Sequence, residues 1–153
     1  MSQAEDFVNV LEAAQKGVNG VIFVIGKPGS GKSKIMREAA EDKKWEYLDC
    51  RMLISEEFLT VPQNGRNEKA PEIMGAILDS YNSDVIMLDR LQTLFVPVFH
   101  LDVGSLLKKL SAKKIIVAAW PGYEKDGQLC YDKFDGTESI RIPKEGFTVW
   151  NVD

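Results

Sequence analysis

The sequence predicts an α/β fold in which a mainly parallel β-sheet carries helices on both faces. Apolar runs alternate along the chain with amphipathic stretches of helical spacing, an order typical of parallel sheets. The run at residues 85–88 is apolar throughout, as in strands that are buried on both faces. A glycine-rich segment at residues 26–33 joins another apolar run to a helix-favouring stretch. With 153 residues, the chain suits a single domain over residues 1–153.

The first predicted elements are a helix, a strand and a second helix. Residues 7–16 place apolar side chains at helical spacing, and glycines in a linker at 17–20 end this helix. Residues 21–25 are β-branched or aromatic, which favours a strand. Residues 33–42 concentrate their apolar side chains on one face, as a helix packed against a sheet does.

The next elements are two strands with helical segments between them. Residues 45–49 predict a strand and residues 54–59 a short helix, before a polar loop at 62–67. A helix over 71–81 begins with a proline, which is tolerated in the first helical turn. Residues 84–89 are predicted to form the third strand, because residues 85–88 are a short, wholly apolar run.

The C-terminal half predicts a further helix and several strands. Residues 91–101 are unusually apolar but contain a proline, which indicates a loop or a broken helix. Residues 103–110 predict a helix and residues 113–119 a fourth strand. The segment 123–153 supplies short strands at a sheet edge, at residues 139–142 and 147–150.

Charge and composition argue against several classes of protein. The net charge of −4 argues against a strongly basic surface for nucleic acid. Cys50 and Cys130 lack metal-ligand spacing and are expected to be reduced thiols. The N-terminus is acidic and lacks the apolar core of a secretory signal, and no apolar run approaches the length of a membrane span. We therefore expect a cytoplasmic protein with no membrane partner.

Residues 26–33 match the phosphate-binding loop pattern G-x-x-x-x-G-K-[ST] at every required position. Glycines let successive backbone N–H groups approach a phosphate without a Cβ in the way. Lys32 supplies a positive charge for the β- and γ-phosphates, and the Ser33 hydroxyl is a ligand for Mg²⁺. The flanking strand and helix distinguish this motif from a glycine-rich turn with a surface lysine. The predicted nucleotide-binding residues are Gly26, Lys27, Pro28, Gly29, Ser30, Gly31, Lys32 and Ser33.

Asp89 is the predicted second metal residue. It ends the third strand, where an acidic side chain can reach Mg²⁺ beside the loop hydroxyl, directly or through water. The alternative is that Asp89 caps the segment that follows. The predicted ligands are thus ATP and Mg²⁺, with GTP left open, although the sequence contains no Asn/Thr-Lys-x-Asp motif for reading a guanine base.

The order of these features resembles the ASCE division of P-loop NTPases, close to AAA+ cores. The resemblance covers residues 20–120 and implies a three-layer P-loop NTPase core, here with no lid domain after residue 120. More narrowly, residues 101–111 and 115–122 resemble the BrxF family, the small P-loop proteins of BREX phage-defence systems. That resemblance implies a bacterial protein that works beside a methyltransferase, a large ATPase and other defence components.

Besides the missing lid, the chain departs from the ASCE pattern at two residues. Arg90 stands where many of these ATPases have a glutamate that polarises the attacking water, and a guanidinium cannot accept that proton. Asp49 is the best substitute base, followed by Asp102 and Glu46, although each also suits a capping or surface role. At the end of the fourth strand, where the family has a polar γ-phosphate sensor, Trp120 suits core packing. The predicted catalytic residues are Lys32, Asp89 and Arg90.

Two interpretations of Arg90 are open. It is either an arginine finger for the γ-phosphate of its own or a neighbouring site, or a salt-bridged surface residue.

Because the site lacks the usual base, we expect hydrolysis that is slow or completed by a partner. The leading hypothesis is an ATP-binding regulatory subunit of a BREX-type complex that assembles with itself or with other proteins. Residues 91–99 are either a contact surface for that assembly or a buried loop.

Two other functions compete with this hypothesis. A small-molecule or nucleotide kinase would use Arg51 and Arg66 over the phosphates. A DNA-binding module would hold nucleotide as a structural ligand and contact DNA directly or through partners. Its basic cluster would be Lys108, Lys109, Lys113 and Lys114.

Overall fold

The computed structural model of the protein describes residues 3–16, 20–27, 29–132 and 139–152. The helices of this described part are α1 (Gln3–Lys16), α2 (Lys32–Lys43), α3 (Glu56–Thr60), α4 (Arg66–Asp79) and α5 (Val103–Leu110). The strands are β1 (Val21–Ile25), β2 (Glu46–Asp49), β3 (Val85–Asp89), β4 (Ile115–Ala119), β5 (Tyr123–Lys125), β6 (Gln128–Asp132), β7 (Ser139–Pro143) and β8 (Thr148–Asn151). Short 3-10 segments lie at Cys50–Leu53, Gln63–Gly65, Leu91–Phe95 and Pro97–Phe99. None of the described helices is long and apolar enough to span a lipid bilayer.

The main sheet contains five parallel strands in the order β2-β3-β4-β1-β8. Successive side chains of a strand point to opposite faces, and both faces of this sheet are buried. In β1, for example, Phe23 belongs to one core cluster and Val24 to the other. Helices α1 and α2 cover one face, and α3, α4 and α5 cover the other. The predicted α/β fold, a mainly parallel sheet with helices on both faces, is confirmed.

The parallel arrangement collects the chemically important residues at one edge of the sheet. The carboxyl ends of β1, β2, β3 and β4 lie together because their strands run in the same direction. Asp49 at the end of β2 is in register with Asp89 at the end of β3. The glycine-rich loop leaves the end of β1 at this same edge and enters α2.

Helix α4 begins five residues earlier than predicted, at Arg66 instead of Pro71. The prediction of a polar loop over residues 62–67 is therefore wrong at its C-terminal end. A proline in the second turn removes one backbone hydrogen bond, which is a limited loss. The guanidinium of Arg66 donates at 2.6–3.0 Å to the carbonyls of Leu59, Val61 and Val98, and these bonds fix the start of the helix.

A second, antiparallel sheet of order β5-β6-β7 follows the fourth strand, and its first two strands were not predicted. The sequence contains a signal for them. Asp126 and Gly127, which connect β5 to β6, both have positive φ, and Asp-Gly is a preferred two-residue hairpin turn. Residues 139–142, predicted at the edge of the main sheet, belong to this second sheet as β7, whereas the other predicted edge strand is confirmed as β8. In the described part of the chain, β4 is thus followed by this small sheet and not by a helical lid.

Candidate nucleotide-binding site

The glycine-rich loop has a backbone that requires glycine at three positions. Gly29 and Gly31 have φ angles of 83° and 96°, a region that residues with a side chain rarely adopt. No described atom outside the adjoining residues lies within 4 Å of a Cβ placed on either glycine, so the space beside these two α-carbons is open. Gly26 is buried, and a Cβ there would overlap the side chain of Ser30. The loop is therefore shaped to let another group approach its backbone.

The start of α2 suits an anion. No side chain caps this helix at Gly31, which leaves its first N–H groups available together with the positive end of the helix dipole. Among the described residues, the Ser30 hydroxyl is the buried side-chain group that lacks a hydrogen-bond partner. Lys32 Nζ donates to the Gly26 carbonyl at 2.7 Å, which holds the ammonium at the start of the loop. These donors fit a chain of phosphates. Lys27 is exposed, and Pro28 lies outside the described residues.

The structure brings together the two predicted metal residues, Ser33 and Asp89, which lie 56 positions apart in the sequence. Ser33 Oγ donates to Asp89 Oδ2 at 2.6 Å. The Tyr47 hydroxyl donates to the same oxygen, and the backbone N–H of Arg90 donates to Asp89 Oδ1 at 2.9 Å. Because the Ser33 hydroxyl directs its hydrogen at Asp89, the lone pairs of its oxygen remain free for a cation. Hydroxyl and carboxylate oxygens are the ligands that Mg²⁺ prefers, so this pair fits the metal.

These hydrogen bonds keep Asp89 ionised. Burial raises its pKa, but the bonds from Ser33, Tyr47 and the backbone of Arg90 outweigh burial and leave the pKa below its ordinary value. Burial, followed by the bond to Asp89, raises the pKa of Tyr47 to about 12, so the phenol stays protonated and acts as the donor. Sequence reasoning missed Tyr47. Only the adjacency of β2 and β3 places it beside Asp89, and no local pattern gives that strand order.

Asp49 is held by two arginines. Its Oδ2 lies 3.0 Å from Arg90 Nε and 2.9 Å from a terminal nitrogen of Arg51, and its Oδ1 accepts the Arg51 backbone N–H at 2.8 Å. Burial raises the pKa of Asp49, but the hydrogen bonds and charge of Arg51 with the charge of Arg90 leave it lowered. A carboxylate in this setting accepts a proton poorly. The geometry therefore argues against Asp49 as the substitute base.

The structure also argues against the other two candidate bases, Asp102 and Glu46. Asp102 Oδ1 accepts the Ser105 backbone N–H at 3.2 Å and caps α5. Glu46 begins β2, so it lies at the opposite end of that strand from the site. Arg90 has a left-handed backbone, with φ of 58°, and its side chain is 59% exposed. Its ion pair with Asp49 corresponds to the salt-bridged interpretation of this residue.

Trp120 is a core residue, as predicted. It is fully buried, and its ring meets Phe23 and Phe95 edge-on. Its indole Nε1 donates to the carbonyl of Cys130 in β6 at 2.9 Å, which joins the second sheet to the end of β4. Cys130 and Cys50 are buried free thiols.

A cleft of about 530 Å³ lies between the glycine-rich loop and the second sheet. The loop lines one side of it with Gly26, Lys27 and Lys32, and Asn151 lines it from the end of β8. The second sheet contributes aromatic and acidic side chains, namely Tyr123, Glu124, Tyr131 and Asp132. The cleft is therefore cationic on the loop side and acidic on the opposite side.

Several basic side chains that were candidates for binding phosphate or DNA make contacts within the fold instead. Arg66 is only 8% exposed and donates to three carbonyls, so it cannot cover a phosphate. Lys108 Nζ lies 4.7 Å from the centre of the Phe147 ring, and Lys114 Nζ donates to two backbone carbonyls. Two members of the basic cluster are thus committed to contacts within the fold.

Comparison with solved structures shows a weak similarity of fold. No protein-family model matches the chain, and no curated protein is similar to it in sequence. A crystal structure of a DNA replication initiation factor is similar over 78% of this chain and 39% of that chain, with a TM-score of 0.37 and 17% identity. This chain therefore spans well under half the length of that protein.

Proposed function

We propose that this chain binds ATP and Mg²⁺ through the loop at residues 26–33 and Asp89. The observation that carries the proposal is the 2.6 Å hydrogen bond between Ser33 and Asp89, beside a loop with open space at Gly29 and Gly31 and with the unpartnered hydroxyl of Ser30. The backbone of the loop and Lys32 would hold the phosphates, and Ser33 and Asp89 would hold the metal. Bound Mg²⁺ would neutralise charge on the β- and γ-phosphates.

We further propose that hydrolysis is slow until another protein or a second copy of this chain completes the site. At this edge of the described structure, Asp89 accepts the Ser33 hydroxyl and would hold the metal, and Asp49 is paired with two arginines. Neither is free to take a proton from an attacking water. A protein with this site would bind ATP and change its assembly before it hydrolyses the nucleotide.

Replacing Asp89 with asparagine is expected to weaken ATP binding at least about tenfold in Mg²⁺ and to change it little in EDTA, because asparagine keeps the shape and loses the charge. Fluorescent-nucleotide titrations in the two conditions measure this. Asp84→Asn is the matched control, since Asp84 is exposed and lies at the other end of the third strand. Equal losses with and without Mg²⁺ would move the metal site elsewhere.

We also propose nucleotide-dependent assembly, with Arg90 acting at an assembled site. Its side chain is exposed and pairs with Asp49, so Arg90→Ala should leave ATP affinity within about twofold and reduce turnover or assembly about tenfold or more. Sedimentation velocity with parallel phosphate release, with and without ATP and Mg²⁺, tests both effects. Arg51→Ala removes the other partner of Asp49 and is the control. If the two variants behave alike, Arg90 has only a salt-bridge role.

Membership of a BREX-type phage-defence complex rests on the sequence resemblance of residues 101–111 and 115–122. The partners proposed on that basis are a large ATPase and a methyltransferase, with DNA contacted directly or through them. Co-expression of the chain with these two components, followed by affinity purification in ATP or in ADP, tests the proposal. Recovery of neither component in either nucleotide would contradict it.

The cleft beside the loop favours phosphoryl transfer as a second candidate function. Its volume of about 530 Å³ lies in the range of small-molecule sites, which is roughly 300–1,000 Å³. On the side formed by the second sheet, Glu124 is paired with Lys144 and Asp132 accepts the Tyr123 hydroxyl, so the cleft would suit a neutral acceptor with a hydroxyl group. An acceptor screen followed by ³¹P NMR separates this function from hydrolysis, because only transfer gives a phosphorylated product.

A further inference from the structure

We propose that Tyr47 is a positioning residue for Mg²⁺, through its hydrogen bond to Asp89. This inference rests on the proposed ATP and Mg²⁺ site. It adds a residue that belongs to neither the glycine-rich loop nor the end of the third strand. The Tyr47 phenol itself is the hydrogen donor, so it acts on the metal through Asp89 and not as a ligand.

Tyr47 reaches the carboxylate because of the register between β2 and β3. Tyr47 is paired with Met87, two residues before Asp89, so the three side chains lie on the same face of the sheet. Tyr47 is half-buried and packs against the apolar cluster that includes α2, the helix that carries Ser33. Its ring is thus held by packing while its hydroxyl points to the site.

Three donors from separate parts of the chain fix the Asp89 carboxylate. Ser33 and Tyr47 donate to Oδ2, and the backbone N–H of Arg90 donates to Oδ1. Without Tyr47, each carboxylate oxygen would accept one hydrogen bond, Oδ2 from Ser33 and Oδ1 from Arg90. The Tyr47 bond adds a second direction at Oδ2, which restricts rotation of the carboxylate plane.

That orientation matters for the metal because the Ser33 hydroxyl has a single proton. While Asp89 accepts this proton, the lone pairs of Ser33 are available to a cation. If the carboxylate rotates away, the Ser33 hydroxyl loses its acceptor and its lone pairs no longer have a fixed direction toward the cation. Hydrogen-bond partners of this kind, one step removed from the metal, typically change metal affinity by about 10–100-fold when they are lost.

The test is the Mg²⁺ dependence of ATP binding by the Tyr47→Phe variant of the full chain. Fluorescent ATP is titrated over a range of free Mg²⁺ and in EDTA, with thermal unfolding measured in parallel. We expect the Mg²⁺ concentration for half-maximal enhancement to rise about 10–100-fold, while affinity in EDTA stays within about twofold. Tyr81→Phe is the matched control, because Tyr81 lies before the start of the third strand, whereas Asp89 lies at its end.

Each alternative outcome has a distinct meaning. If the wild-type chain binds no ATP, the proposed function fails and this inference fails with it. If wild-type binding depends on Mg²⁺ and Tyr47→Phe shows the same dependence, the inference is overturned while the proposed function stands. If the variant loses affinity equally in Mg²⁺ and EDTA as its melting temperature falls, Tyr47 has only a structural role, which also overturns the inference.

Discussion

Replacing Lys32 with alanine is expected to lower ATP affinity at least about 100-fold, because the ammonium is the only side-chain cation that the motif assigns to the phosphates. Charge-assisted hydrogen bonds contribute roughly 1.5–3 kcal/mol each, and Lys32 is expected to contact two phosphate groups. Their loss corresponds to about two to four powers of ten in affinity. Isothermal titration with ATP and Mg²⁺ measures the change. The side chain makes a bond to one loop carbonyl in the structure, so its removal should leave the fold intact.

Lys34 provides the matched control for this variant. It follows Lys32 by two positions, its side chain is 74% exposed, and it lies 4.0 Å from Glu38 on the same helix. Lys34→Ala removes the same charge from the same helical turn, so its ATP affinity should stay within a few-fold of wild type. If the two variants lose affinity equally, the effect is one of net charge. Unchanged affinity in Lys32→Ala would contradict the assignment of the site.

Replacing Trp120 with alanine is expected to lower the free energy of unfolding by about 3–5 kcal/mol. Trp120 is fully buried between Phe23 and Phe95, so truncation leaves a large cavity. It also removes the donor to the Cys130 carbonyl, which leaves that buried acceptor without the indole. Because domains are stable by about 5–15 kcal/mol, this loss is a large share of the total. Urea denaturation followed by circular dichroism measures it.

One further variant at this position separates the contributions of volume and hydrogen bonding, and a variant of a second tryptophan is the control for burial. Trp120→Phe keeps much of the ring and loses the N–H, so we expect a loss of about 1–3 kcal/mol. Trp45→Ala removes a tryptophan that is only partly buried, and its cost should be smaller than that of Trp120→Ala. A cost below about 1 kcal/mol for Trp120→Ala would mean that the indole does not join the two sheets in solution.

Local patterns predicted the fold and the first half of the site because their physical causes are local. Strands that are buried on both faces need runs of apolar residues, so β1, β3 and β4 stand out in the sequence. The glycine-rich loop needs glycines at fixed spacing to reach its backbone angles. Asp89 could be placed at the same sheet edge as Ser33 because the ends of parallel strands meet there.

The sequence by itself therefore determined the class of fold, the glycine-rich loop and the acidic residue that meets it. Only the tertiary structure decided that Tyr47 joins this site, that Asp49 is paired with Arg51 and Arg90, and that a second sheet borders the cleft. These contacts depend on which strands are neighbours and on which charged side chains meet across them. Strand order and burial arise from packing of the whole chain, so no short-range spacing in the sequence specifies them.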